Sequence, residues 1–253
     1  MYLGNWDQNQ PDETIVVRRS RSIGGAAIGI LVLDLWYPLI PGNVANASTF
    51  DFPVLYWVLQ GRGLEVLEAE PSLLEAVVAG GEELVRQGVR AIVGSCGYLG
   101  FYQREAADAL EVPTFLSSLL QVPMILASLG PSKRLGILCA TSRSLSPELL
   151  RACGVDDGSR LVIAGAEELP EFQNILRCTG SLNSCALERE LGGLAVDLLS
   201  RHPDIGALLL ECSDMPPYAW SIQRRLQVPV FDYTTMVNWV YRAVVQKPYT
   251  GII

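Results

Sequence analysis

The chain contains a second, weaker copy of part of itself. AIVGSCGYLGFYQ, around Cys96, returns as ALLLECSDMPPYA around Cys212 at a constant offset of 116. The register holds without a gap, pairing Tyr102 with Tyr218 and Val112, Pro113 and Phe115 with Val228, Pro229 and Phe231. Seven of the 25 positions from 91 to 115 are identical, so one unit has been duplicated with a cysteine in both copies. The openings of the copies match as well, because AAIGILVL (26–33) and KRLGILCA (133–140) share Gly-Ile-Leu.

Each copy alternates short apolar runs with amphipathic stretches. AAIGILVL, PVLYWVL (53–59), VRAIVGS (89–95) and VPTFL in the first copy read as strands buried on both faces, as do KRLGILCA, RLVIAG, IGALLLE (205–211) and VPVFD in the second. Helices are expected over 71–88, where two adjacent glycines look like a weak point, over GFYQREAADALE and over SSLLQVPMILASLG. In the second copy they are expected over SPELLRACG, NSCALERELGGLAVDLLSRH, PPYAWSIQRRL and TTMVNWVYRAV. The fold class is therefore α/β, two pseudosymmetric parallel-sheet halves with helices on both faces and an active site in the cleft between them. The divisions are an N-terminal arm (1–23), a first half with Cys96 (24–130) and a second with Cys212 (131–253).

Ligands of open parallel sheets bind beyond the carboxyl ends of the strands, where both cysteines fall. A pseudo-twofold axis would set them facing each other across one cleft. Each also precedes a predicted helix, whose free N–H groups are expected to draw the thiol pKa from about 8.5 toward neutrality and to hold a carboxylate. Two thiols in opposite protonation states suit removal of an acidic proton from one face of a carbon and its return to the other. The Pro-, Gly- and Asn-rich stretch WYPLIPGNVANASTFDF after the first strand is long enough to be a loop over that site.

Composition narrows the chemistry. With 19 basic against 27 acidic residues and no basic stripe, nucleic acid and anionic lipid are poor partners, and a small carboxylate or amino acid is the expected one. RRSRS (18–22) before an apolar run has the look of an export signal, but Asp34 interrupts that run and cleavage would remove the first strand. The run is also too short for a membrane span; a cytoplasmic protein is expected. The six cysteines show no CxxC spacing, so no disulfide framework and no metal site is expected. Lys133 lies at the amino end of its strand and Lys247 in the tail, which disfavours a pyridoxal Schiff base. His202, the single histidine, stands on the side away from the cysteines and disfavours a Ser-His-Asp triad. No cofactor is expected.

GILVLD, GSCGY, GILCATS, LECSD and VPVFD together make the chain resemble the aspartate/glutamate/hydantoin racemase superfamily over roughly residues 24–246. The resemblance implies a cofactor-independent isomerase in which Cys96 and Cys212 are the acid/base pair. It further implies that Gly97, Tyr98, Thr141, Ser142, Ser213 and Asp214 bind the substrate. Asp34 is a candidate for a substrate amine and Arg143 for a second carboxylate. Cys212 is followed by Ser213-Asp214 instead of the Thr-His usual in glutamate racemases, which sets this chain apart from them. The leading expectation is a racemase or epimerase of an amino acid or related acid. The rivals are a cysteine-dependent isomerase or decarboxylase of small dicarboxylates (maleate isomerase-like) and a non-catalytic small-acid-binding protein. A homodimer or larger assembly is expected.

Overall fold

The computed structural model describes residues 23–249 and 251–252, so all but the last residue of the expected N-terminal arm, RRSRS included, lies outside the described residues. The duplication is written into the topology. Strands β1 (Ile28–Leu33), β2 (Val54–Leu59), β3 (Ala91–Gly94) and β4 (Thr114–Phe115) form a parallel sheet in the order β2-β1-β3-β4. Strands β5 (Arg134–Cys139), β6 (Leu161–Gly165), β7 (Ile205–Leu210) and β8 (Val230–Phe231) repeat that order as β6-β5-β7-β8. The central strands are apolar without alternation because helices cover both faces: β3 is buried throughout, and so is β7 apart from Gly206.

Three helices belong by sequence to the first copy: α1 (Leu73–Arg86), α2 (Gln103–Ala109) and α3 (Val122–Ser128). Five follow: α4 (Pro147–Ala152), α5 (Phe172–Leu176), α6 (Ser184–Arg201), α7 (Ala219–Leu226) and α8 (Tyr233–Val244). Helix α1 buries Leu73, Val77, Gly80, Gly81 and Leu84 on one face. Its glycines are points of close approach and not a weakness. A Cβ at Gly80 would stand 2.5 Å from Trp57 Cδ1, and one at Gly81 2.6 Å from Leu110 Cδ1. Helix starts follow local capping chemistry: Ser146 accepts from Leu149 N–H, Asn183 from Ala186 N–H, and Asp232 forms a capping box with Thr235. Asp232, the last residue of VPVFD, thus serves a helix.

The two halves exchange their last helices. Helix α3 packs on β5 of the second sheet, while α8 packs on β3 of the first. Tyr233, Met236, Val237 and Val240 of α8 share a core with Ile28, Ile30, Ala91 and Val93. Polar bonds reinforce the seam: Tyr233 Oη donates to Leu116 O (3.1 Å), Gln121 Nε2 to Asp232 O (3.0 Å) and Ser118 Oγ to Glu211 O (2.9 Å). Among the described residues no helix is long and apolar enough to cross a membrane.

Candidate active site

Beyond the carboxyl ends of the central strands lies one cavity that both copies line. The first contributes Ser95, Cys96 and Tyr98; the second contributes Ala140, Phe172, Cys212, Ser213 and Asp214. The two cysteines therefore share a site, as the duplication required. Its other walls are apolar, with Val32, Leu35, Leu64, Val66, Ile175 and Leu176 among them.

The loop after β1 closes over this cavity and is fastened to the other half. Tyr37 Oη donates to Asp214 Oδ2 (3.0 Å) and Asn43 Nδ2 to Asp214 Oδ1 (2.5 Å), and both residues line the site. Further along, Gly42 (φ +100°) lies so close to Pro217 that an added Cβ would meet its Cα at 2.9 Å. Asp214 also receives the Cys212 thiol, Sγ to Oδ2 at 3.5 Å. Burial raises its carboxyl to about 6 against the three donors, which pull the other way.

Neither thiol has the lowered pKa expected from a helix start. Burial, and then the negative charge of Glu211 and Asp214, push Cys96 up; its neighbouring Tyr98 and Leu99 N–H groups offset only part of this. Burial and the same two carboxylates, Asp214 first, push Cys212 up as well. Cys96 opens a short 3₁₀ turn (Gly97–Tyr102), whereas Cys212 stands before a bend whose 3₁₀ turn begins only at Pro216. Both shifts favour the thiol over the thiolate.

Of the other residues singled out from sequence, Tyr98, Ser213 and Asp214 line the cavity. Tyr98 is bolted to the second half, with its Oη donating to Thr141 O (2.6 Å) and accepting from Thr141 N–H (2.9 Å), which places Thr141 behind the wall. Gly97 is also behind it, against the Glu211 side chain. Three are not brought to the site. Asp34 is exposed and caps the turn after β2 by accepting from Gly61 N–H (2.8 Å). Ser142 is turned to Glu167, with its N–H (3.0 Å) and Oγ (2.5 Å) both donating to Oε1. Arg143 is exposed and absent from the lining.

Tyr37, Asn43, Phe172 and Glu211 were not singled out. Glu211 carries the clearest signal of the four, a lone charge ending the apolar run ALLLE directly before a cysteine. It is fully buried; its Oε2 accepts from Ala140 N–H (3.1 Å), and its Oε1 has no hydrogen-bond partner. Among the described lining residues there is no Lys, Arg or His, and among the described residues no cluster of three His, Cys, Asp or Glu is arranged to hold a metal. The arrangement supplies two thiols, one carboxylate as proton acceptor for Cys212, hydroxyls and an apolar, partly aromatic wall.

No family model matches the chain. Its fold recurs in unliganded arylmalonate decarboxylase (20% identity, 88% of this chain and 94% of that one, TM-score 0.58). It also recurs in allantoin racemase from Klebsiella pneumoniae (17% identity, 89% and 97%, TM-score 0.59) and in a glutamate racemase from Bacillus anthracis (16% identity, 88% and 85%, TM-score 0.57). The chain thus has the fold that these racemases and the decarboxylase share. In sequence it is similar to dimethylsulfoniopropionate lyases: 28% identical over 242 residues to one from Durusdinium sp. clade D, and 30% over 237 residues to one from Emiliania huxleyi. It covers 79% of the first but 62% of the second, so it spans less than two thirds of the longer relative.

Proposed function

We propose that this chain is a cofactor-independent enzyme that removes the α-proton of a small carboxylate bearing a positive charge, and that its substrate is dimethylsulfoniopropionate. The observation that carries this reading is the charge of the site. Two thiols and Asp214 face an apolar cavity without a single basic side chain among its described lining residues, so a substrate that brings its own cation is favoured. A sulfonium seated beside Asp214, Tyr37 and Tyr98 meets an anion and aromatic faces, both of which attract it. The likeness to lyases acting on such an acid supports the same choice.

The cation also supplies what the resting thiols lack. Its positive charge lowers the cost of a thiolate in a buried site, and Asp214 is placed to accept the Cys212 proton. The thiolate then takes the proton from C2 of the substrate. That C–H electron pair becomes the C2=C3 double bond, the C3–S bond breaks with its electrons passing to sulfur, and acrylate and neutral dimethyl sulfide leave. The proton is returned to solvent through Cys212 and Asp214. Cys96 lines the same cavity from the other half; with a substrate lacking a leaving group it stands ready to return a proton to the same carbon, which is racemisation. The pair of cysteines keeps that second reading in view, with an amino acid or hydantoin-like acid as substrate.

Gas chromatography of dimethyl sulfide released from dimethylsulfoniopropionate tests the proposal directly. Elimination needs one base and no acid, because the leaving group is neutral. Cys212→Ala is therefore expected to lose about 10²–10⁴-fold in kcat, and Cys96→Ala distinctly less. No release by the wild type, together with deuterium exchange and loss of optical rotation on an amino-acid panel that either substitution abolishes, would establish the racemase reading instead.

A further inference from the structure

Three buried carboxylic side chains occur among the described residues. Asp232 caps α8 and Asp214 faces the cavity. Glu211 does neither. It is bonded in the chain to Cys212, yet its Oε1 lies against Gly97, the residue after Cys96, so closely that a Cβ there would fall on it. One carboxyl is thus wedged under both cysteine turns without lining the cavity. Its single donor is the Ala140 N–H, and Oε1 is unpartnered.

A carboxylate in that position would be poorly satisfied. The groups that face it are Cys96 and Tyr98 from the first copy, Cys139 at the end of β5 and Cys153 at the end of α4. Tyr233 of α8 and, beyond its own strand, Cys212 and Asp214 complete the set. Every one is neutral or negative; no cation is among them. An ion with one neutral hydrogen bond in such surroundings costs several kcal/mol, which protonation removes.

We propose that Glu211 is a positioning residue that works as a neutral acid beneath the site, holding the two cysteine turns apart and leaving the thiols as the groups that ionise above it. Burial and the charge of Asp214 hold its carboxyl up, to about 8, against the Ala140 N–H. The neutral form ends on the alkaline side, where an ionised Glu211 repels a thiolate. This rests on the two-cysteine reading of the site but not on the identity of the substrate.

The test is peptide-resolved alkylation of the full chain by iodoacetamide across pH 6–10, in the wild type and in Glu211→Gln. Gln keeps the shape and stays neutral. At pH 6 the two proteins should react alike at Cys96 and Cys212; at pH 9 the variant should react about tenfold faster at these two, the effect of one unit of thiol pKa. Cys178 and Cys185, outside the cavity, serve as internal references that should not change. Infrared difference spectroscopy of the wild type against Glu211→Gln gives a second measurement: a buried carboxylic-acid carbonyl band present at pH 7 in the wild type and missing from the variant should disappear by pH 10. Identical alkylation profiles, or no such band at pH 7, would overturn the proposal. A protein that releases no dimethyl sulfide but shows the alkylation difference refutes the proposed substrate and supports the role of Glu211; the converse result does the opposite.

Discussion

Gly97→Ala puts a methyl group where the Glu211 carboxyl already sits. The new Cβ would fall on Oε1, 2.5 Å from Cδ and 2.8 Å from Cγ, whereas ordinary contact begins at 3.4 Å. The carboxyl carbon must therefore retreat by about 0.9 Å, the difference between 3.4 and 2.5 Å. Glu211 is fully buried, so the retreat forces its neighbours and breaks the bond from Ala140 N–H, now 3.1 Å long. Overpacking costs about 1–3 kcal/mol and a buried polar group left unpaired about 1–3 kcal/mol, giving a loss of about 2–6 kcal/mol. The backbone adds nothing, since Gly97 is not in the left-handed region. Glu211→Ala removes the obstacle, and in that background the methyl at 97 has room and fills part of the space left. Urea unfolding of the wild type, both single variants and the double variant measures this as a cycle, with an expected coupling of at least about 2 kcal/mol in favour of the double variant. Additivity within about 0.5 kcal/mol would show that the two side chains do not collide, and the wedge described here would be wrong.

Two further outcomes follow from the carboxyls of the site. Asp214 and Glu211 hold protons more tightly in the folded chain than in the unfolded one, so their contribution to stability is fully present below the unfolded carboxyl range near 4 and is lost as pH rises, through about 6 for Asp214 and about 8 for Glu211. Urea midpoints should fall between pH 5 and pH 9, and Glu211→Gln should remove the segment between 6 and 8; equal slopes in the two proteins would contradict this. Tyr37→Phe removes a donor that stabilises the Asp214 carboxylate. The acid limb of the activity profile, measured by dimethyl sulfide release, should therefore move to higher pH, and an unmoved limb would mean that Asp214 does not govern it.

Much of this architecture was legible from the sequence because both sheets are covered on two faces. Each central strand is then an uninterrupted apolar run, and the fixed offset of 116 aligns β3 with β7 and one cysteine with the other. Short elements escaped: α5 has five residues, too few for a periodic pattern, yet it carries Phe172 into the cavity wall. Side-chain direction escaped too. Asp34 stands at the right strand end, but its carboxylate satisfies Gly61 N–H and turns away from the cleft. The loop was recognisable as a cover, whereas its fastening was not, since Tyr37 and Asn43 reach a partner 177 and 171 residues away. Glu211 was readable as an oddity of composition, and only the packing of Gly97 against it gives the oddity a meaning. The helix-start argument for reactive thiols failed because it weighed backbone donors and left out the burial of the thiols and, after it, two buried carboxyls.

The exchange of terminal helices sets the order in which this chain can mature. The face of the first sheet that buries Ile28, Ile30, Ala91 and Val93 waits for Tyr233, Met236, Val237 and Val240, more than 130 residues downstream of β3 by the residue numbers. On a ribosome the first copy can form its sheet early but not seal it, and its apolar face stays open until the last helix has emerged. Contacts of such long sequence separation also slow the search for the native state. A chain cut between α3 and β5 would therefore leave each product with a sheet face that its own residues do not cover in this packing, and recovery is expected to depend on the two products meeting one another.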